Sequence, residues 1–311
     1  MFNFRTDLAL ERASIYRKEN NLEKIDGIDT EEEEIGKSIK VSRVKITNEN
    51  GEIAIGKRKG VYVTIDLKKF KFAEDEEIKK ASETLAKELK NIVDAHINLK
   101  EDILVVGLGN LYVTPDSLGP KVINEIDVTR HIIKYLPQYI DKNTRPVTAI
   151  SPGVLGTTGI ETVEILKGIV DNIKPKLIIV IDALASRSIE RISSTIQISD
   201  TGIIPGAGVG NTRKEISKET LGIPVIALGI PTVVESAVLV NDCLDLIIEK
   251  MQNEAKSNVF LNQIKEKDNY EQIKDMLNPL DYNMIVTPKE IDELIENMKD
   301  VVAKGINMSI L

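Results

Sequence analysis

Val105-Val106-Gly107-Leu108-Gly109-Asn110, running on to Val113-Thr114-Pro115-Asp116-Ser117-Leu118-Gly119-Pro120, decides how this chain folds. An apolar run enters a glycine-rich turn, and the turn delivers one carboxylate, Asp116, to a helix start. Glycine at 107 and 109 permits positive φ and a close approach of backbone. A second segment repeats the design: Leu177-Ile178-Ile179-Val180-Ile181 runs straight into Asp182-Ala183-Leu184-Ala185-Ser186-Arg187. Unbroken apolar strands of this kind belong to parallel sheets covered on both faces. Ligands in such sheets bind outside the carboxyl ends of strands. The expectation is that Asp116 and Asp182 face one site.

Outward from these two strands, the pattern alternates strand and helix. Strands are expected at 102–107, 146–150, 177–182, 194–199 and 223–229, and helices at 74–97, 118–137, 159–173 and 232–250. This predicts an α/β fold, a mostly parallel central sheet flanked by helices. Ahead of it, Val41–Ile46, the Asn50-Gly51 pair and Ile53-Ala54-Ile55 read as a hairpin, with Gly60–Leu67 as a third strand. This forms a small N-terminal antiparallel β unit. Glu31-Glu32-Glu33-Glu34 reads as a solvated face or loop. Two further helices are expected at 258–276 and 288–304, the second opened by Thr287 as N-cap, Pro288 at N1 and Glu290 at N3. The chain divides into 8–73 with the β unit, an α/β core at 74–250, and C-terminal helices at 251–311 packed on that core.

Composition sets bounds. The chain has 311 residues and an apolar fraction of 42%, enough for a sizeable core. Aromatics are 4% with no Trp, so the core is built of Ile, Val and Leu. A net charge of −8 argues against direct binding of nucleic acid. The single cysteine, Cys243, excludes an intrachain disulfide and reads as a buried small hydrophobe. The amino terminus lacks a secretory apolar segment, and no apolar run reaches the roughly 20 residues of a membrane helix. A soluble, intracellular protein is expected.

Paired carboxylates can hydrolyse a peptide bond without metal or thiol. Two of them a few ångström apart cannot both ionise easily, so one keeps a proton. The ionised member polarises water, and the protonated one donates to the scissile carbonyl or leaving amine. The turns around Gly107, Gly109 and Gly153 (in Ser151-Pro152-Gly153-Val154-Leu155-Gly156) expose backbone N–H groups suited to substrate. Arg187 and Arg213 are candidate partners for an acidic substrate side chain, because guanidinium forks match carboxylates. Arg213 closes the loop Gly206-Ala207-Gly208-Val209-Gly210-Asn211-Thr212, which reads either as a substrate-contacting lid or as a long loop only. Tyr112 stands where a dinucleotide fingerprint needs its third glycine. Asp200-Thr201-Gly202 is a post-strand turn that can border the same cleft. His96 and His131 lie in helices, and no zinc-binding spacing is present, so neither metal nor cofactor is expected.

Together, Arg5-Thr6-Asp7-Leu8-Ala9-Leu10-Glu11, the Gly107–Pro120 stretch, Ser151–Gly156, Ile181-Asp182-Ala183-Leu184-Ala185 and Val286-Thr287-Pro288-Lys289-Glu290-Ile291-Asp292 resemble the spore germination protease family over nearly the whole chain. The resemblance implies an endopeptidase of spore-forming Firmicutes that degrades small acid-soluble spore proteins at germination. It implies a homotetramer made as a zymogen, acting in the cytoplasm of the forespore and the spore core by an unusual aspartic mechanism. The family's proposed catalytic aspartates fall on Asp116 and Asp182. The implied fold is that of the hydrogenase maturation endopeptidases, whose acidic groups bind nickel. A metal-dependent maturation peptidase is therefore one alternative, and a non-catalytic peptide-binding α/β protein another. Substrates of the family are cut after an acidic residue, and Asp7-Leu8-Ala9-Leu10-Glu11 is similar to their pattern. Self-cleavage at Asp7–Leu8, releasing a propeptide of residues 1–7, is expected on that likeness.

Overall fold

The computed structural model describes residues 8–68, 70, 73–206, 213–254, 270–277 and 284–311. Nine strands among them form one sheet. In chain order these are β1 (Ile28–Ile35), β2 (Ile39–Ile46), β3 (Gly60–Leu67), β4 (Ile103–Gly107), β5 (Val147–Ile150), β6 (Leu177–Ser186), β7 (Thr195–Ser199), β8 (Val225–Glu235) and β9 (Ile285–Val286). The spatial order is β1-β2-β3-β7-β8-β6-β4-β5, with β9 on β8. The parallel part is the central block β8-β6-β4-β5. The antiparallel strands β1–β3 extend the same sheet through β7, which runs antiparallel to both β3 and β8.

Helices cover both faces of the parallel block, and the side chains divide accordingly. Ile103 and Val105 of β4, with Ile179 and Ile181 of β6, pack on one face against helix α3 (Asp75–His96), α4 (Leu118–Ile123) and the C-terminal helix Ile291–Ile310. Leu104, Val106, Ile178 and Val180 pack on the other against helix Thr162–Ile173. This is why both strands read as continuous apolar runs. It also puts Asp182 on the second face, two residues beyond Val180, and Gly107 on the first, two beyond Val105.

Several expectations need correction. Ile53-Ala54-Ile55 is not a strand but part of helix Glu49–Ile55. Asn48 caps it, accepting from the Gly51 N–H at 2.9 Å. Gly51 is needed for packing and makes no hairpin turn, because a Cβ there would lie 2.7 Å from the Gly27 carbonyl oxygen. The hairpin is β1–β2 instead, and the glutamate run is an edge strand whose Glu31 and Glu34 stand opposite Arg43 and Lys40. Cross-strand pairs of opposite charge hold such a polar strand in register. The helix expected at 118–137 is broken into α4 and Arg130–Tyr135. Between them Thr129 leaves the helical path, its hydroxyl accepting from the Val147 N–H at 2.9 Å and tying the start of β5. The last helix starts at Ile291, because the Thr287 hydroxyl donates to the Thr232 carbonyl at 3.0 Å and does not cap a helix. Of the helix expected at 258–276 only Tyr270–Leu277 falls within the described residues. Cys243 is exposed. Its helix, Ser236–Glu254, buries Ala237, Val238 and Ile248, and Cys243 lies off that face.

The N-terminal strands are pinned to α3 by a buried ion pair, Arg43 to Glu88, with Lys87 to Glu33 beside it at 3.6 Å. Arg43 Nε and Nη2 donate to the two oxygens of Glu88 at 2.8 and 2.6 Å, and the Glu88 side chain is only 2% exposed. Removing one partner of a buried pair strands the other charge. Arg43→Ala is expected to cost about 3 kcal/mol, read as a lower urea midpoint with unchanged slope.

Candidate active site

The polypeptide leaves the sheet at Gly107 through a set of close backbone contacts. A Cβ on Gly107 would stand 2.2 Å from the Gly119 carbonyl oxygen, and one on Gly119 would stand 2.2 Å from that of Leu108. Gly107 therefore serves the packing of α4 on β4. It does not line the cleft, contrary to its expected role in substrate contact, because its Cα faces α4 on the opposite side of the sheet. Gly109 has φ +117°, and a Cβ there would lie 2.0 Å from the Asp116 carbonyl oxygen and 3.0 Å from its Oδ1. The turn thus wraps around Asp116, whose Oδ2 accepts the Asn110 N–H at 2.8 Å. Asn110 is itself fixed by an Asx turn to the Tyr112 N–H at 3.0 Å. Asp116 sits in a single 3₁₀ turn, Thr114–Asp116, and caps no helix.

Asp182 does not end its strand. β6 continues to Ser186, and Asp182 pairs opposite Gly229 of β8. It is 5% exposed. Burial, then the charge of Asp116, push its pKa up to about 8, while the Ala183 N–H bonded to its carboxyl pulls the other way. Burial also raises Asp116, which the Asn110 N–H partly offsets. The two carboxyls, one from the turn after β4 and one from within β6, thus interact. Both carboxyls are raised, Asp182 the further of the two, so Asp182 is the member that holds its proton to higher pH.

Both aspartates line a cleft of about 650 Å³. Gly109, Gly153, Arg187 and Arg213 line it as expected, as does Asn110. Gly153 takes φ +76° to turn the chain after β5. Leu8, just ahead of helix α1 (Ala9–Glu19), is buried at 6% exposure, and Asp7 lies outside the described residues. Of the loop 206–213 only Gly206 and Arg213 are described, and both reach the cleft. Asp200 does not border it. Its carboxyl accepts the Val61 N–H at 2.7 Å and faces His96 at 3.4 Å. Arg12 and Glu161 also line the cleft and were not foreseen. Arg12 comes from α1, distant in sequence from every strand end, and its Nη1 donates to the Ile55 carbonyl at 3.2 Å. No periodicity or motif marks such a residue.

The acidic groups on the cleft are Asp116, Asp182 and Glu161. Among the described residues no group of three His, Cys, Asp or Glu side chains is placed to hold a metal ion. The cleft lining among the described residues carries carboxylates but no imidazole to complete a nickel site, and no step of the mechanism passes through a metal. No helix of the described residues is long and apolar enough to cross a membrane.

An α/β sheet with two interacting carboxyls, one in the turn after β4 and one within β6, that meet in a cleft of about 650 Å³ is the site of a hydrolase. Comparison with known proteins makes this specific. The family model described as germination protease matches residues 5–262 and 252–311. Germination proteases of Clostridium perfringens and Clostridium acetobutylicum are 49% and 47% identical over 316 residues, each alignment covering 100% of this chain and 96% of the relative. That of Priestia megaterium is 42% identical over 350 residues, covering 99% of this chain and 94% of the relative. Among solved structures, the [NiFe] hydrogenase maturation protease HycI from Thermococcus kodakarensis overlaps 45% of this chain and 80% of its own at 17% identity and TM-score 0.28. The chain belongs to the germination protease family and is a protease.

Proposed function

We propose that this protease cuts small acid-soluble spore proteins in the spore core, using Asp116 as general base and Asp182 as general acid. The observation that carries the reading is the meeting of the two carboxyls in one cleft, with the anion-stabilising N–H on Asp116 and the deeper burial on Asp182. Asp116 takes a proton from water as the water oxygen bonds to the carbonyl carbon. Asp182 gives its proton to the carbonyl oxygen. As the tetrahedral species collapses, Asp182 recovers that proton, the C–N bond breaks, and Asp116 passes its proton to the leaving nitrogen. The pair ends as it began, with one proton between them.

The reading extends to self-processing at Asp7–Leu8. Arg12, a few residues beyond that bond, already lines the cleft, and buried Leu8, Ala9 and Ala13 anchor α1 beside it. This supports a leader made of residues 1–7, joined at Leu8 to a helix whose Arg12 lines the cleft. Arg12, Arg187 and Arg213 supply positive charge for acidic substrate side chains. The functional assembly on this reading is a homotetramer, without cofactor. Incubating the purified protein at mildly acid and neutral pH, followed by mass spectrometry of the amino terminus, tests the processing. Loss of residues 1–7 is expected at both pH values, because an Asp182 carboxyl raised to about 8 keeps the pair singly protonated in mild acid and at neutral pH alike. An intact terminus at every pH contradicts it.

A further inference from the structure

β4 leaves the sheet after Gly107, and its neighbour does not. The two strands pair as far as Gly107 opposite Ile181, and a last hydrogen bond runs from the Leu108 N–H to the Ile181 carbonyl at 2.8 Å. Gly109 then turns the chain towards Asp116. β6 runs on from Asp182 to Ser186, held on one side by β8. Among the described residues no strand pairs with its other edge.

Two bonds fix which backbone groups face that edge. The Ile178 N–H donates to Pro224, on the β8 side, at 3.0 Å, whereas the Ile181 carbonyl faces β4. Backbone groups alternate in direction along a strand, so Ala183 and Ala185 turn theirs to the side β4 has left. The irregularity in this stretch falls on β8, where Thr232 is the additional residue. The Ala183 N–H is taken by the Asp182 carboxyl. That leaves the Ala183 carbonyl, the Ala185 N–H and the Ala185 carbonyl facing the cleft, which residues 182–185 all line. An unpaired strand edge is a template for another chain, and this one starts at a catalytic carboxyl.

We infer that the substrate binds as an added strand in the place β4 vacates, its main chain hydrogen-bonded to Ala183 and Ala185 so that its scissile amide lies between Asp182 and Asp116. This rests on the catalytic reading of the two aspartates. The occupant is an extended segment of a protein substrate. Paired strands lie about 4.8 Å apart, which brings a neighbouring main chain within reach of the Asp182 side chain. The methyl side chains of Ala183 and Ala185 add little bulk beside the slot. The three cleft arginines outnumber Glu161 and the ionised Asp116, which favours acidic side chains on that segment. A helical segment cannot enter such a slot, so substrates must offer an unfolded stretch.

The test is a backbone N-methyl scan of a peptide copying residues 2–13, Phe2 to Ala13. Binding to full-length Asp182→Asn and cleavage by the wild type are both read. An added strand gives alternation: methylation at every second position lowers affinity or kcat/KM on the order of tenfold or more, and at the positions between has little effect. Loss without alternation in both readouts, or neither binding nor cleavage, overturns the inference. Alternating affinity without cleavage counts against the catalytic reading alone, and cleavage without alternation counts against the strand alone.

Discussion

Asp182→Asn is expected to remove catalysis and stabilise the fold together. The amide has the shape of the carboxylic acid but cannot pass a proton to the carbonyl oxygen and take it back. Loss of a general acid costs about 10²–10⁴-fold in kcat, and the loss is placed at the upper end because the same group acts in both halves of the reaction. The gain in stability follows from burial. In the folded protein the Asp182 pKa is pushed up to about 8, whereas an unfolded aspartate titrates near 3.9. Between these values the folded state holds a proton that the unfolded state has released. Wild-type stability therefore falls as pH rises through that window, and the asparagine variant escapes the fall. The variant should match the wild type near pH 4 and exceed it on the order of 3 kcal/mol at pH 7, measured by denaturant unfolding. An active variant, or one less stable at neutral pH, contradicts the assignment.

Gly109→Ala is expected to have the second-largest effect. With φ at +117° an alanine is strained, and its Cβ would meet the Asp116 carbonyl oxygen at 2.0 Å. The turn must open, which breaks the Asn110 N–H bond to Asp116 and moves the base from its partner. Strained positive φ costs of order 1–3 kcal/mol, and misplacing a catalytic group by an ångström can cost about 10²-fold in rate. Circular dichroism unfolding and peptide turnover measure the two losses. Full activity in a folded Gly109→Ala protein would show that the turn does not position Asp116.

The parallel block was legible because burial on both faces wrote unbroken Ile/Val/Leu runs into β4 and β6, and because a glycine turn carrying an aspartate follows β4. The ends of β6 and β8 were not legible. Asp182 reads as a strand terminator, yet the strand continues because β8 pairs with it through Ser186 opposite Val234. The N-terminal strands were misread for two reasons. Asn50-Gly51 carries the composition of a hairpin turn, but its glycine answers to contact with Gly27. The four glutamates look like a loop until their partners on β2 are known, since charge pairing across strands is invisible along one strand. The aspartate pair was legible because each aspartate follows directly on an apolar run or its turn, although Asp182 lies within its strand. Which member keeps the proton was not, because that depends on the Asn110 N–H at Asp116 and on the relative burial of the two groups. Arg12 was hidden for a related reason: its place in the cleft follows from how α1 docks on β2 and the helix Glu49–Ile55, a tertiary contact with no local signature.

The central claim is that Asp116 and Asp182 hold one proton between them, kept on Asp182. Carbon-13 NMR of aspartate carboxyls through a pH titration, on the wild type and on Asp116→Asn, tests it directly. The account predicts one aspartate signal, absent from Asp182→Asn, that titrates near pH 8 and shifts to lower pH when the Asp116 charge is removed. An Asp182 carboxyl that titrates in the ordinary carboxylate range, indifferent to Asp116→Asn, would contradict it.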